Sequence, residues 1–174
     1  MLSNSFIDES VRGSQYLLAG VIVEHARHQD IRRELKGLRQ FGRSSLHMHK
    51  EVIGRKRLIA NCVAQMEITC VLTVQELSGQ SLMSARNRFL SELAGHALIR
   101  ATSQLTLESS NSIELDKKIL SNRAYEYSGK FPHYRHLPSA QEPLLWLPDI
   151  IAWCVGKGGE FEHLVRPLFV SSAG

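Results

Sequence analysis

A chain of 174 residues is long enough to bury a core without disulfide or metal support and short enough to be one domain. Its 43% hydrophobic and 22% charged residues form an ordinary globular mix, which excludes a disordered chain and a coiled coil. The net charge of +4 is unevenly spread: Arg27 to Arg57 holds ten Lys or Arg against three acids, a local +7, leaving −3 on the rest.

The elements follow from periodicity and turn chemistry. Phe6-Ile7 reads as a short buried strand ending in Asp8-Glu9-Ser10. Val11 to Gln15 is a turn, and Tyr16 to Val23, apolar and β-branched, is a central strand paired with the first as a hairpin. His25 to Phe41 is helical, with Ile31, Leu35 and Leu38 on a core face and Arg32, Lys36, Arg39 and Arg43 on a basic one. Ser44 to His49 fits a short strand and Val52 to Gln65 a second helix. Ile68 to Val74 is a strand, and Leu82 to Arg100 is the longest helical pattern. Gln104 to Glu108 alternates polar and apolar residues as a half-buried strand does. Glu114 to Tyr127 is a helix, and Phe131 to Leu137 is irregular or a strand. Pro143 to Val155 is helical but interrupted by Pro148, and the tail after Gly158 is coil or a last helical turn. Strands interleaved with helices indicate a mixed α/β sheet with helices packed on it, a single domain over 1–174.

Cys62, Cys70 and Cys154 are odd in number, form no C-x-x-C and sit among apolar residues, as reduced thiols of a cytoplasmic protein do. No basic-then-apolar stretch resembles a signal peptide. The longest apolar runs are too short to span a bilayer, so no membrane partner is expected.

Three acids stand in unusual places. Asp8 and Glu108 each close a predicted strand, and Asp149 lies within LLWLPDIIAWCV. On one helix, Leu145, Trp146, Ala152 and Trp153 share the face of Asp149, where an ionised carboxylate is costly unless paired or bound to a cation. Two strand ends and a packed helix can bring the three together. Converging carboxylates repel, and a hard divalent cation such as Mg²⁺ relieves the repulsion. Bland readings stand beside this one. Asp8 can close a turn with Ser10, Glu108 can be a solvated strand end, and Asp149 can complement the dipole of a helix beginning at Pro148. Glu9 points to the opposite face from Asp8 and pairs more naturally with a basic residue.

Leu46-His47-Met48-His49-Lys50-Glu51 puts His47, His49 and Glu51 on one face if it is a strand. Two His and a carboxylate are zinc ligands, yet an H-x-H pair alone is a weak signal, and a proton shuttle or phosphate contact beside the acids is the rival reading. The stripe Arg32, Lys36, Arg39, Arg43, followed by Lys50 and Arg55, is either a solvated face or a surface for a nucleic-acid backbone. Neither a G-K-[ST] phosphate loop nor a G-x-S-x-G elbow occurs.

Taken in order, these motifs resemble a bacterial domain-of-unknown-function family with an RNase H-like fold. Its members open with an aromatic-x-D-E-S-G strand and a second apolar strand, here Phe6 to Ser10 and Leu17 to Val23. They carry a short histidine segment, comparable to Leu46 to Glu51. They end in an apolar-x-A-D-apolar-apolar-A helix, comparable to Leu147 to Ala152. The chain departs from that pattern at Val11 for Gly, at Pro148 for a small residue and at Glu108 for a frequent Asp. The resemblance implies an RNase H-like mixed sheet of about five strands. It also implies a two-metal nuclease-type site with Asp8, Glu108 and Asp149 as ligands of Mg²⁺ or Mn²⁺, and Glu9, His47, His49 and Glu51 as accessory residues. The expected activity is phosphodiester hydrolysis of RNA or DNA. The alternatives are a non-catalytic RNase H-like module that binds nucleic acid or a protein, and a zinc hydrolase built on His47 and His49.

Overall fold

A computed structural model describes residues 2–128 and 130–170. Strands β1 (Ser3–Arg12) and β2 (Gln15–Glu24) form an antiparallel hairpin, closed at Gly13-Ser14. Such a two-residue turn needs a positive φ, which Gly13 supplies at 57°. β1 therefore runs four residues past Asp8, and the acids lie inside the strand rather than at its end. The reason is that β1 has unequal neighbours. Its pairing with β2 continues to Arg12, whereas its parallel pairing with β4 (Gln104–Glu108) stops at Ile7 opposite Leu107.

Beyond these strands, β3 (Thr69–Glu76) pairs antiparallel with β2, and β5 (His133–Leu137) pairs parallel with β4. The five-stranded order is β3-β2-β1-β4-β5. Strand alternation splits the core into two layers. Phe6, Leu17, Ala19, Val21 and Val23 face one side, Ile7, Tyr16, Leu18, Leu105 and Leu107 the other.

The first layer is covered by α1 (His28–Leu38), α2 (Ile53–Ala64), α6 (Trp146–Lys157) and α7 (Gly159–Val165). The second is covered by α3 (Leu82–Gly95), α4 (Ala97–Arg100) and α5 (Ile113–Glu126). Ile31 and Leu35 bury the expected stripe of α1, but the helix stops at Leu38 because Arg39 is extended. The long 82–100 pattern is two helices, split where His96 adopts ψ 133° and its ring accepts the Leu98 N–H.

No strand forms over 44–49. Leu46 and Met48 are buried with strand-like alternation, but Met48–Lys50 is a 3₁₀ turn. At the C-terminal end a 3₁₀ turn (Pro143–Leu145) leads straight into α6. Pro148 is the third residue of α6, inside the first turn, where a missing N–H forfeits no helical bond. It neither interrupts the helix nor begins it. The tail is more helical than expected, with α7 followed by a 3₁₀ turn (Arg166–Leu168). Among the described residues no helix is long and apolar enough to cross a membrane, and all three cysteines are free thiols.

Candidate metal and nucleic-acid site

Asp8 and Glu108 occupy adjacent places just past the last paired residues of β1 and β4. By alternation both leave the sheet on the Phe6 side, the side on which α6 packs. α6 carries Asp149 toward them, and all three line one cleft of about 700 Å³. The carboxyls of Asp8 and Glu108 stand within hydrogen-bonding reach of each other. Burial, followed by the negative charges of Glu108 and Asp149, pushes the Asp8 carboxyl well above the usual carboxylate range. Burial also raises Asp149, with Glu108 adding to it, against the opposing pull of the Met48 N–H, His47 and His49.

The isolation of this trio is specific. Every other acid that is at least half-buried has a cationic partner. Glu142 takes two bonds from Arg32 (2.9 and 2.7 Å), Asp116 two from Arg86 (3.0 and 2.9 Å) and Glu51 one from Arg55 (2.7 Å). Among the described residues, Asp8, Glu108 and Asp149 have no ion-pair partner. An all-oxygen, net-anionic donor set suits a hard cation that takes one or two carboxylates and keeps its waters. As arranged here, no three or more His, Cys, Asp or Glu among the described residues form a group that could hold a metal ion.

The histidine segment reaches the cleft by a route the strand reading did not contain. The Met48 N–H donates to Asp149 Oδ2 (2.9 Å), which docks the 3₁₀ turn on α6. His47 and His49 flank that bond and line the cleft, their ring centroids 5.9 Å apart. His47 Nε2 also bonds Ser45 Oγ (3.0 Å). Glu51 is not brought in. It is buried, held by Arg55, Gln40 and, at 3.7 Å, Arg43. A turn in place of a strand breaks the one-face relation between His49 and Glu51.

Glu9 also lines the cleft, but its carboxylate turns toward the other side of the sheet, as alternation requires. There it accepts bonds from the Tyr16 hydroxyl and from Arg86, whose guanidinium also holds Asp116. Burial would raise Asp116, but hydrogen bonds from His136 and Arg86 outweigh it and leave its carboxyl below the ordinary value.

The proposed nucleic-acid residues divide in two. Arg32 is committed to Glu142, and Arg55 to Glu51 and the Leu38 carbonyl. Acids from elsewhere in the chain neutralise much of the basic segment, since Arg27 pairs with Glu67 and Arg57 with Glu160. Among the described residues, Lys36 and Lys50 remain exposed without ion pairs, and Arg39 donates only to the Ser44 carbonyl (3.3 Å). Arg43 and Lys50 line a second hollow of about 400 Å³ that shares His47 as a wall with the carboxylate cleft. Arg12, Arg86 and Trp153 also line the cleft, and sequence motifs missed them. The one signal for Trp153 was its place four residues after Asp149 on the same helical face.

No protein-family model and no curated protein matches this chain. Among solved structures it is similar to one described as the structure of the PCNA:RNase HII complex from Archaeoglobus fulgidus, at 18% sequence identity and a TM-score of 0.59, over 99% of this chain and 81% of that one. With the mixed sheet order and the helices on both faces, the chain has an RNase H-like α/β fold.

Proposed function

We propose that this protein is a metal-dependent nuclease that hydrolyses phosphodiester bonds of RNA or DNA. The observation that carries the reading is the unpaired trio Asp8, Glu108 and Asp149 in a chain that pairs its other buried acids. In this reading the three carboxylates hold Mg²⁺ or Mn²⁺. A divalent pair so held supplies activation of the attacking water and stabilisation of the leaving oxygen. His49, exposed at the rim, carries a proton at a ring nitrogen, while His47, braced by Ser45, shapes the wall. Glu9 holds the strand in place through Arg86. The hollow lined by Arg43 and Lys50 receives the sugar–phosphate backbone as it leaves the cleft. Free thiols fit a cytoplasmic setting. The test is cleavage of RNA, DNA and hybrid substrates with Mg²⁺ or Mn²⁺, with Asp8→Asn beside the native chain. Loss of cleavage in the variant supports the reading, and equal cleavage by both overturns it.

A second reading is a non-catalytic RNase H-like module that binds nucleic acid. That no three His, Cys, Asp or Glu among the described residues are arranged to hold a metal ion favours it. It expects salt-sensitive binding that needs no metal and survives Asp8→Asn.

A further inference from the structure

Arg12, at the end of β1, lies with its guanidinium carbon 4.7 Å from the ring centroid of Trp153, and Lys56 of α2 places its ammonium 4.9 Å from the same centroid. Neither cation has an ion-pair partner among the described residues. An aromatic face orients a cation but does not neutralise it, and it leaves the N–H donors open. The two charges held on one ring repel each other, and among the described residues no acid forms an ion pair with either. Trp153 is itself buried, at 4% exposure, and its indole Nε1 has no hydrogen-bond partner.

The arrangement depends on a close approach. A Cβ on Gly156 would stand 2.5 Å from Arg12 Cδ and 3.3 Å from its Cγ, so the arginine stem lies directly on the glycine backbone of α6. Arg12 and Trp153 belong to the same cleft as Asp8 and Asp149. Trp153 follows Asp149 by four residues, about 6 Å along the helix axis, the scale of one nucleotide step.

We infer that Arg12, Lys56 and Trp153 form a phosphate subsite that grips the nucleic-acid backbone next to the carboxylate centre. The inference rests on the nucleic-acid reading above. Two cations without ion-pair partners match the several acceptor oxygens of a phosphodiester, and the acidic centre beside them would repel a strand that nothing else held.

The test is equilibrium binding of a labelled single-stranded oligonucleotide, DNA in one arm and RNA in the other. Full-length protein is used in EDTA over a range of salt, so that cleavage plays no part. Arg12→Ala and Lys56→Ala are each expected to weaken binding and to lower the slope of log K against log[salt] by about 0.7. Gly156→Ala keeps both charges but displaces Arg12, and is expected to weaken binding as Arg12→Ala does. Native affinity and slope in both the Arg12 and Lys56 variants would overturn the subsite while leaving the nuclease reading intact. Weakened binding by these variants of a chain that cleaves nothing would support the subsite and overturn the nuclease. A native chain that binds neither oligonucleotide overturns both.

Discussion

Asp8 and Glu108 sit side by side at the point where the parallel ladder between β1 and β4 ends, one residue beyond Ile7 opposite Leu107. Strand register thus forces two carboxyls together on the face covered by α6, with Asp149 close enough to add its charge. The folded, metal-free chain holds a repulsion that the unfolded chain lacks. Asp8→Asn is therefore expected to raise the melting temperature of the metal-free protein, by about 2–4 °C for each kcal/mol relieved in a chain of this length. Divalent cation should reverse the ranking, since ligand at a hundred times its dissociation constant adds about 2.7 kcal/mol to the form that binds it. Thermal melts of both proteins with EDTA and with Mg²⁺ read this out. A variant less stable than native in EDTA would contradict it.

The same centre gives a pH dependence with a definite sign. Asp8 and Asp149 bind their protons more tightly when folded, for burial and like charge raise both. Between the ordinary carboxylate value near 3.8 and their raised values the folded form holds more protons, so metal-free stability falls as pH rises through that window. Asp116 and Glu142 act oppositely. Burial raises each, but their basic partners win and hold both below the ordinary value. Their stabilisation is present above the ordinary value and is lost as pH falls through the depressed one. Urea unfolding across acid to neutral pH in EDTA should show both limbs. Mg²⁺ should remove only the upper one.

The legible part of this structure was the part fixed by period. The alternation that placed Asp8 and Glu9 on opposite faces depends only on strand geometry, and Glu9 does meet an arginine. The 3.6-residue spacing that put Trp153 on the face of Asp149 is equally local. What local pattern missed was tertiary. Leu46 and Met48 alternate as a strand would, but the Met48 N–H goes to a side chain 101 residues away, and a turn forms. Arg32 and Arg55 stood in a basic stripe, yet whether a stripe faces solvent depends on acids distant in sequence. For Arg32 that acid is Glu142, 110 residues on. The +7 segment is for this reason less cationic in space than in sequence.

Arg86 is the hinge of a buried network, its side chain 8% exposed and its charge shared between Glu9 and Asp116. Replacing it by Met takes the guanidinium from two acids, one of them fully buried, and leaves Glu9 only the Tyr16 hydroxyl and Asp116 only His136. Breaking a buried pair by removing one partner costs about 3–5 kcal/mol. Arg86→Met should lower stability by that order in urea unfolding. The triple variant with Glu9→Gln and Asp116→Asn should recover much of the loss. Failure to recover would show that packing, not charge, is what Arg86 supplies.

The two classes of basic residue separate experimentally. Arg32→Ala removes the partner of buried Glu142 and should cost about 1–3 kcal/mol of stability, with little change in the salt slope of nucleic-acid binding. Lys50→Ala should leave stability within about 0.5 kcal/mol and reduce that slope by about 0.7–0.9. The reverse pattern would move the backbone surface onto α1.

Asp149 does two things that can be pulled apart. Its carboxylate belongs to the acidic centre, and its Oδ2 anchors the turn that carries His47 and His49 through the Met48 N–H. A hydrogen bond to a charged acceptor contributes about 1.5–3 kcal/mol. At 1.4 kcal/mol per factor of ten, Asp149→Ala should speed exchange of the Met48 amide by about 10- to 100-fold. Asp149→Asn keeps an oxygen at the same distance, so it should retain most of that protection while losing the stabilisation by Mg²⁺. Hydrogen exchange at Met48, read beside metal-dependent melting, tests both halves at once. If Asn and Ala free the amide equally, the anchor depends on charge, and the position of both histidines must then depend on the ionisation of Asp149.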